Sequence, residues 1–398
     1  MRRTCDQRLE MTLENVCALI ADCPHTTAQD EGVGYPLVRT PNIGYGRLVF
    51  DKMHRVSRAV YDIRNKRAKP LPGDLIYARE APAGNVALIM PGQEVCLGQR
   101  TVLIRPNPEI VDSAFLTYYL LAPAQRNKLL GTATGATVAH VNVPAIRNLE
   151  ISLPPLPTQK RIADILSAYD DLIENNRRRM EILEESARLI FKERFEDVWE
   201  RGKLSRGWRA CCVPDCIEVE PEVANPHCDE IRYIPMAALS TSGMTIDVTK
   251  TEMRPKATSV RFANGDVLLA GITPCLENGK TGFVNFLEEN EVACGSTEFI
   301  VLRGRTVSPY FTYCLSRTER FRETAIKSMV GASGRQRVQP ECFDTYEIAL
   351  PTAPILREFD ELVEPMFEQI GLLLKQNQDL TETRDMLLPK LMSGKGAA

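Results

Sequence analysis

LEISLPPLPTQKRIADILSAYDDLIENNRR fills residues 149–178, and YEIALPTAPILREFDELVEPMFEQIGLLLK fills residues 346–375. The two stretches lie 197 residues apart and pair Glu150 with Glu347 across a Pro-rich junction. Proline suits the first turn of a helix, where its fixed φ and missing N–H cost nothing, so each stretch predicts a strand followed by a long helix. The helices carry heptads. In the first, Leu166, Ile173, Met180 and Ala187 hold one seam position, and Ile162, Tyr169, Asn176, Leu183 and Ile190 hold the other. At the same offset, Val363, Ile370, Asn377 and Arg384 answer the first set, and Phe359, Met366, Leu373, Leu380 and Leu387 answer the second. Seams sustained this long predict a coiled coil; the alternative is two amphipathic helices, each packed on its own domain. Pro365 is expected to kink the second helix or to mark its effective start. Polar seam residues fix register, so Asn176 and Asn377 are expected to meet if the helices run antiparallel, which brings Met180 opposite Leu373.

The repeat extends outward from the helices. PGDLIYAREAP recurs as NGDVLLAGITP, matching Gly73-Asp74 with Gly265-Asp266, and EVCLGQRTVLIRP recurs as EVACGSTEFIVLRG, matching Gly98 with Gly295. TGATVAHVNV recurs as VGASGRQRVQP. The chain is therefore read as one unit copied in tandem. Runs such as DLIYA, TVLIR, DVLLA and FIVLR between Gly, Pro and Asn turns make the first part of each copy β-rich, with short helices expected at 114–121 and 310–318. The expected fold is α+β: two pseudo-symmetric β-rich domains at residues 1–154 and 201–351, separated by antiparallel coiled-coil helices at residues 155–200 and 352–398.

Composition limits the function. The chain has 398 residues, 44% hydrophobic and 25% charged, with a net charge of −3, so any basic surface has to be local. The 12 cysteines are read as reduced thiols; Cys211, Cys212, Cys216 and Cys228, with His227, lack the paired spacing of a zinc site. No apolar run has membrane-span length and MRRTCDQRLE has no apolar stretch behind its arginines, so a cytoplasmic protein without membrane contact is expected.

The quoted blocks carry a resemblance. The 149–178 stretch resembles the central conserved helix of type I restriction–modification specificity subunits. GDLIYAREAPAGNVALI and GATVAHVNVPAIRNLEISLPPLPTQKRI look like blocks of their target recognition domains. The order of blocks matches that family over nearly the whole chain, although PTAPILREFDELV departs from PLPTQKRIADIL in the second copy. The resemblance implies a non-catalytic subunit whose two domains each bind half of a bipartite site in double-stranded DNA. It implies helices that set the gap between the half-sites. It further implies partners: two copies of a DNA adenine methyltransferase subunit acting at N6, and restriction/translocase subunits. AdoMet, ATP and Mg²⁺ would then sit on those partners, with no cofactor in this chain.

The residues agree with that division. There is no Asn-Pro-Pro-aromatic motif, and Gly279-Lys280-Thr281 lacks the first glycine of a P-loop because Pro274 stands there, so a β-turn is expected. No catalytic or metal-ligating set is identified. DNA contact calls for Lys and Arg near phosphates, Arg or Lys for guanine, and Asn or Gln for adenine. The candidates in the first domain are Arg39 and Asn42 beside a turn, the basic run Arg55, Arg58, Arg64, Lys66 and Arg67, then Arg79, and the polar loop with Thr137, His140 and Asn142. In the second domain they are Lys280 and above all Arg335, Gln336 and Arg337, with Thr273, Arg254, Lys256 and Arg261 as weaker phosphate candidates. The charged face of the first helix, Arg177–Arg179 with Glu181, Glu184 and Glu185, is either a solvated surface or a docking face for methylation subunits. The rival readings are a stand-alone methyltransferase or nuclease, an interaction scaffold without DNA readout, and the recognition subunit of a related system whose partner fuses methylase and nuclease.

Overall fold

The computed structural model describes residues 8–133, 140–200, 207–225, 230–256, 259–332 and 334–394. It comprises two compact units. The first holds Met1–Ile173 with Asp379–Ala398, and the second holds Glu174–Gln378.

In the first unit the strands are β1 (Leu9–Thr12), β2 (Cys17–Asp22), β3 (Tyr35–Val38), β4 (His54–Val56), β5 (Leu75–Ala78), β6 (Val86–Leu88), β7 (Cys96–Leu97), β8 (Thr101–Pro106) and β9 (Glu150–Leu153). They form sheets ordered β1-β9, β2-β8-β5-β6 and β4-β3-β7. Helices α1 (Arg58–Arg64), α2 (Ser113–Leu121), α3 (Pro123–Gly131) and α4 (Val143–Arg147) fill in around them. Helix α5 (Leu156–Phe191) begins in this unit and runs into the second, where a π turn at Lys192–Glu196 leads to α6 (Asp197–Glu200).

The second unit repeats the plan. Its strands are β10 (Arg209–Cys212), β11 (Ile217–Val219), β12 (Ile231–Ile234), β13 (Glu252–Arg254), β14 (Arg261–Phe262), β15 (Val267–Ala270), β16 (Thr281–Phe283), β17 (Ala293–Gly295), β18 (Phe299–Gly304) and β19 (Glu347–Leu350). Their sheets are β10-β19, β11-β18-β15-β16 and β13-β12-β17-β14, which is the first unit's order with β14 added. Helices α7 (Pro309–Arg317) and α8 (Glu319–Lys327) answer α2 and α3, and α9 (Ala353–Met392) answers α5. The expected helices at 114–121 and 310–318 are α2 and α7; α3 and α8 were not foreseen.

The repeated motifs have one structural reason in both copies. Gly73 and Gly265 sit at φ +91° and +88°, a left-handed turn that glycine enters without a Cβ clash. The following aspartate closes that turn: Asp74 accepts from Leu71 N at 2.9 Å, and Asp266 accepts from Ala263 N at 2.8 Å. Each then takes a two-pronged arginine from the neighbouring strand of its sheet, β8 or β18. Arg105 donates to Asp74 at 2.8 and 2.7 Å, and Arg303 to Asp266 at 2.7 and 2.6 Å. Gly98 is fixed by close approach of backbone. A Cβ there would lie 2.6 Å from Val38 O, the acceptor for Gly98 N. Gly98→Ala should cost the first unit about 1–3 kcal/mol, as overpacking against an unyielding carbonyl does; thermal unfolding against wild type measures it.

Within each unit the two long helices run antiparallel. In the first, Ile162, Ala163 and Leu166 share a core with Leu388, Leu391 and Met392. In the second, Met180 and Ala187 share one with Phe359, Val363, Ile370 and Leu373. The asparagine layer forms as the register requires: Asn176 Nδ2 donates to Asn377 Oδ1 and to Gln376 Oε1, both at 2.9 Å. The seam residues vary in depth. Ile162, Leu166, Asn176, Met180, Phe359, Val363, Ile370 and Leu373 are buried, while Tyr169, Ile173, Leu183, Met366, Asn377 and Leu380 are half-buried. Pro365 does not mark the start of the second helix, since α9 starts at Ala353 and continues past it. Buried Phe359, Val363, Phe367 and Ile370 on both sides hold the helix together where one backbone hydrogen bond is lost.

Each helix also buries residues off the seam, because it packs on the β-rich fold as well as on the other helix. Asp170 accepts from Tyr118 Oη at 2.5 Å and from Arg384 Nη1 at 2.5 Å. Glu184 accepts from Tyr313 Oη at 2.5 Å and from Met244 N at 2.8 Å. The second unit adds an aromatic cluster in which Phe191, Phe195, Phe311 and Phe359 pack edge to face, with Phe367 against Phe283, Tyr310 and Tyr313. Among the described residues, no helix is long and apolar enough to cross a membrane.

Candidate nucleic-acid interface

Several basic and amide candidates turn out to be spent on the fold. Arg64 was read as part of an open basic run, but α1 turns it inward, where it donates to Leu97 O at 2.6 Å and Thr26 O at 3.0 Å. Asn42 is buried, accepting from Arg39 N and donating to Val49 O, each at 3.2 Å. Asn142 caps α4 by accepting from Ala145 N at 2.8 Å. Lys280 donates to Met236 O at 2.7 Å, and Gly279 turns at φ +86°, the β-turn expected of that tripeptide. These engagements have a common cause: buried carbonyls and helix ends need donors and acceptors, and they take the nearest ones. Arg254, stacked 3.2 Å over the Tyr233 ring, and Arg261, held by Val223 O and Asn225, are similarly engaged.

The outer residues of the basic run remain exposed. Arg55 donates to Gly34 O, Arg58 pairs with Asp62 and Tyr35, Arg67 reaches Asp22 O only at 3.5 Å, and Lys66 extends into solvent. Arg39, half-buried, borders a cleft of about 280 Å³ with Thr40, Gln99 and Arg100. Thr137 and Cys228, with His227, lie outside the described residues. Cys211, Cys212 and Cys216 are free thiols; burial pushes Cys216 up to about 12, and it lies against Val213 O.

The remaining candidates meet at one corner of each unit, where the end of β5 or β15 lies between the start of β8 or β18 and the loop that leads to β9 or β19. The backbone here is the same in both copies. Arg79 N donates to Arg100 O and Val141 N to Arg79 O, while Gly271 N donates to Glu298 O and Val338 N to Gly271 O. The side chains are not the same. In the first unit, buried Arg79 is engaged by the fold: it donates to Val141 O, Asp22 Oδ1 and His140 Nε2 at 2.9, 2.9 and 2.7 Å. A guanidinium can only donate, so Nε2 of His140 accepts, and its Nδ1–H points at Glu80 Oε1, 2.6 Å away. The other Glu80 oxygen forms an ion pair with Arg100, 2.9 Å from its Nε.

In the second unit Arg337 occupies the position of His140, and Glu298 that of Arg100. Arg337 clasps Glu298 with Nε and Nη2 at 2.7 and 2.5 Å. That clasp holds the Glu298 carboxyl below the usual glutamate range. Gln336 is fixed through its backbone to Thr273, and the exposed Arg335 guanidinium is held by no described residue. Arg100, Glu80 and Glu298 were missed from sequence. The available signal was that the copies diverge immediately after the shared Gly98 and Gly295.

Among the described residues no group of three His, Cys, Asp or Glu side chains could hold a metal ion. The corner presents guanidinium donors beside carboxylate acceptors, on a backbone hydrogen-bond pattern that the two units share.

A family profile described as "Type I restriction modification DNA specificity domain" matches residues 10–185. The chain is 27% identical over 364 residues to the type I restriction enzyme MjaIX specificity subunit of Methanocaldococcus jannaschii, covering 85% of this chain and 82% of that protein. It is 19% identical over 337 residues to the MjaVIII specificity subunit of the same organism, covering 78% and 76%. In fold it is similar to the crystal structure of a type I restriction–modification S subunit from M. genitalium, with a TM-score of 0.56 at 14% identity over 98% of this chain and 97% of the other. With the duplicated fold and its paired helices, these matches make the chain similar to type I restriction–modification specificity subunits.

Proposed function

We propose that each unit reads one half of a bipartite site in double-stranded DNA, and that the chain directs partner subunits which methylate adenine at N6 and, on unmodified DNA, translocate and cut. One observation carries this reading: the same corner recurs on the same backbone in both units, with different hydrogen-bonding side chains at its tip. A scaffold kept constant under exchanged donors and acceptors suits two readers of different sequences. AdoMet, ATP and Mg²⁺ belong to the partners in this reading, two methyltransferase subunits and the restriction/translocase subunits. Contacts from Arg55, Arg58, Lys66 and Arg67 supply sequence-independent affinity, so binding should weaken steeply with salt despite the net negative charge.

The test is to map methylated adenines genome-wide with and without the gene, and then with Arg335→Ala/Arg337→Ala. Wild type should yield one bipartite motif. The double variant should lose or relax one half of it and leave the other intact. Equal loss at both halves, or no change, defeats the assignment of one half-site to each unit.

A further inference from the structure

Arg100 and Arg337 share a setting. Both side chains are well exposed, 60% and 63%, and each is clasped by a glutamate that is largely sheltered, Glu80 at 15% and Glu298 at 20%. Each pair stands at the same corner with the polarity exchanged: arginine in the turn before β8 and glutamate beside the β5 end in the first unit, glutamate in the turn before β18 and arginine on the loop in the second.

Arg100 also has φ +64°, a left-handed conformation that a bulky side chain seldom adopts. Backbone strain of this kind persists where the position of the side chain matters.

The chemistry of the clasp is specific. In the second unit Nε and Nη2 of Arg337 face two carboxylate oxygens side by side. Guanine presents the same pattern in the major groove, with O6 and N7 as adjacent acceptors, and its paired cytosine presents the N4 amino group, a donor that a glutamate accepts. The carboxylate therefore stands where the guanine edge would bind, and once displaced it has a partner of its own on the same base pair.

Resting on the DNA-reading function above, we infer that each Arg–Glu pair reads one G·C base pair in its half-site, Arg100 with Glu80 in the first unit and Arg337 with Glu298 in the second, the arginine taking guanine and the glutamate taking the N4 amino group of the cytosine. Because the arginines are exposed, solvent screening leaves the clasps weak enough to open. The glutamate also keeps the arginine from resting on phosphate, since its own charge is repelled there. A·T pairs offer thymine O4 and the adenine N7/N6 edge, which satisfy the two side chains less well. His140, donating to the other Glu80 oxygen, holds that carboxylate in place.

The experiment selects bound sequences from a randomised duplex library, using the full chain assembled with its modification partner. Wild type should enrich a bipartite site with a fixed G·C pair in each half. Arg337→Lys keeps the charge and loses the fork, so binding to unrelated DNA should stay within a few-fold of wild type. The variant should lower the preference for one G·C pair by roughly tenfold to a hundredfold, the reach of a single bidentate contact. Arg100→Lys should do the same at one G·C pair in the other half. Glu298→Ala should relax that same pair, with more binding to unrelated DNA. If wild type reads a bipartite site but both lysine variants keep every G·C preference, this assignment is wrong and the recognition function stands. If wild type enriches no sequence at all, the recognition function itself fails, and the assignment with it.

Discussion

Arg384→Met is expected to destabilise the first unit by about 3–5 kcal/mol, the cost of stranding a buried carboxylate. Asp170 and Arg384 are both almost fully buried, and among the described residues the guanidinium is the one cation bonded to that carboxylate, with Tyr118 supplying its other donor. Methionine fills much of the arginine's apolar volume, so the loss falls on the charge and not on a void. Replacing the aspartate too, as Asp170→Leu/Arg384→Met, should recover a large part of the loss, since a buried ion pair can often be exchanged for apolar packing at little net cost. Urea unfolding, with hydrogen exchange followed in α2 and α5, reads both results. A single variant as stable as wild type would show that the pair bears no load.

Glu184→Ala is the matching experiment in the second unit, with an expected loss of about 3 kcal/mol or more. It removes the acceptor of two hydrogen bonds to a charged group, each worth roughly 1.5–3 kcal/mol. It leaves the hydroxyl of Tyr313, a fully buried ring, and the amide of Met244 without that partner. Tyr313→Phe in the same background should return part of the loss by removing one stranded donor. The same unfolding series checks it, and additive effects of the two changes would argue against their acting through one contact.

Both carboxylates show where the sequence was readable and where it was not. The duplication, the strand-rich halves, the antiparallel seam and the Asn176–Asn377 layer follow from repeats and heptads, because apolar period and helix geometry are local properties. Asp170 and Glu184 do not follow, since heptads place charge on the solvated face. Their burial comes from Tyr118 and Tyr313, residues brought to the helix by a separate fold. At the candidate site the difficulty was similar. The run from Arg55 to Arg67 reads as uniformly basic, yet a helix of seven residues turns Arg64 inward and leaves Arg58 outside. Asn142 carried a legible signal, an Asn two residues before Pro144 at a helix start, which marks a cap better than a base contact. Arg337 was legible by type; the carboxylate that holds it came from the turn before β18, in another part of the unit.

The salt bridge of the first unit also bears on self-association. By the repeat, the counterpart of Arg384 on α5 is Ala187, and that of Asp170 on α9 is Phe367. Two copies of a half-length polypeptide ending after α5, wound around each other in the native register, would set Ala187 against Asp170 and sequester a carboxylate that lacks a counterion. The intact chain avoids that penalty because its own last helix brings the guanidinium. One buried charge thus discriminates against symmetric homodimers of the first half and favours closure of the chain upon itself.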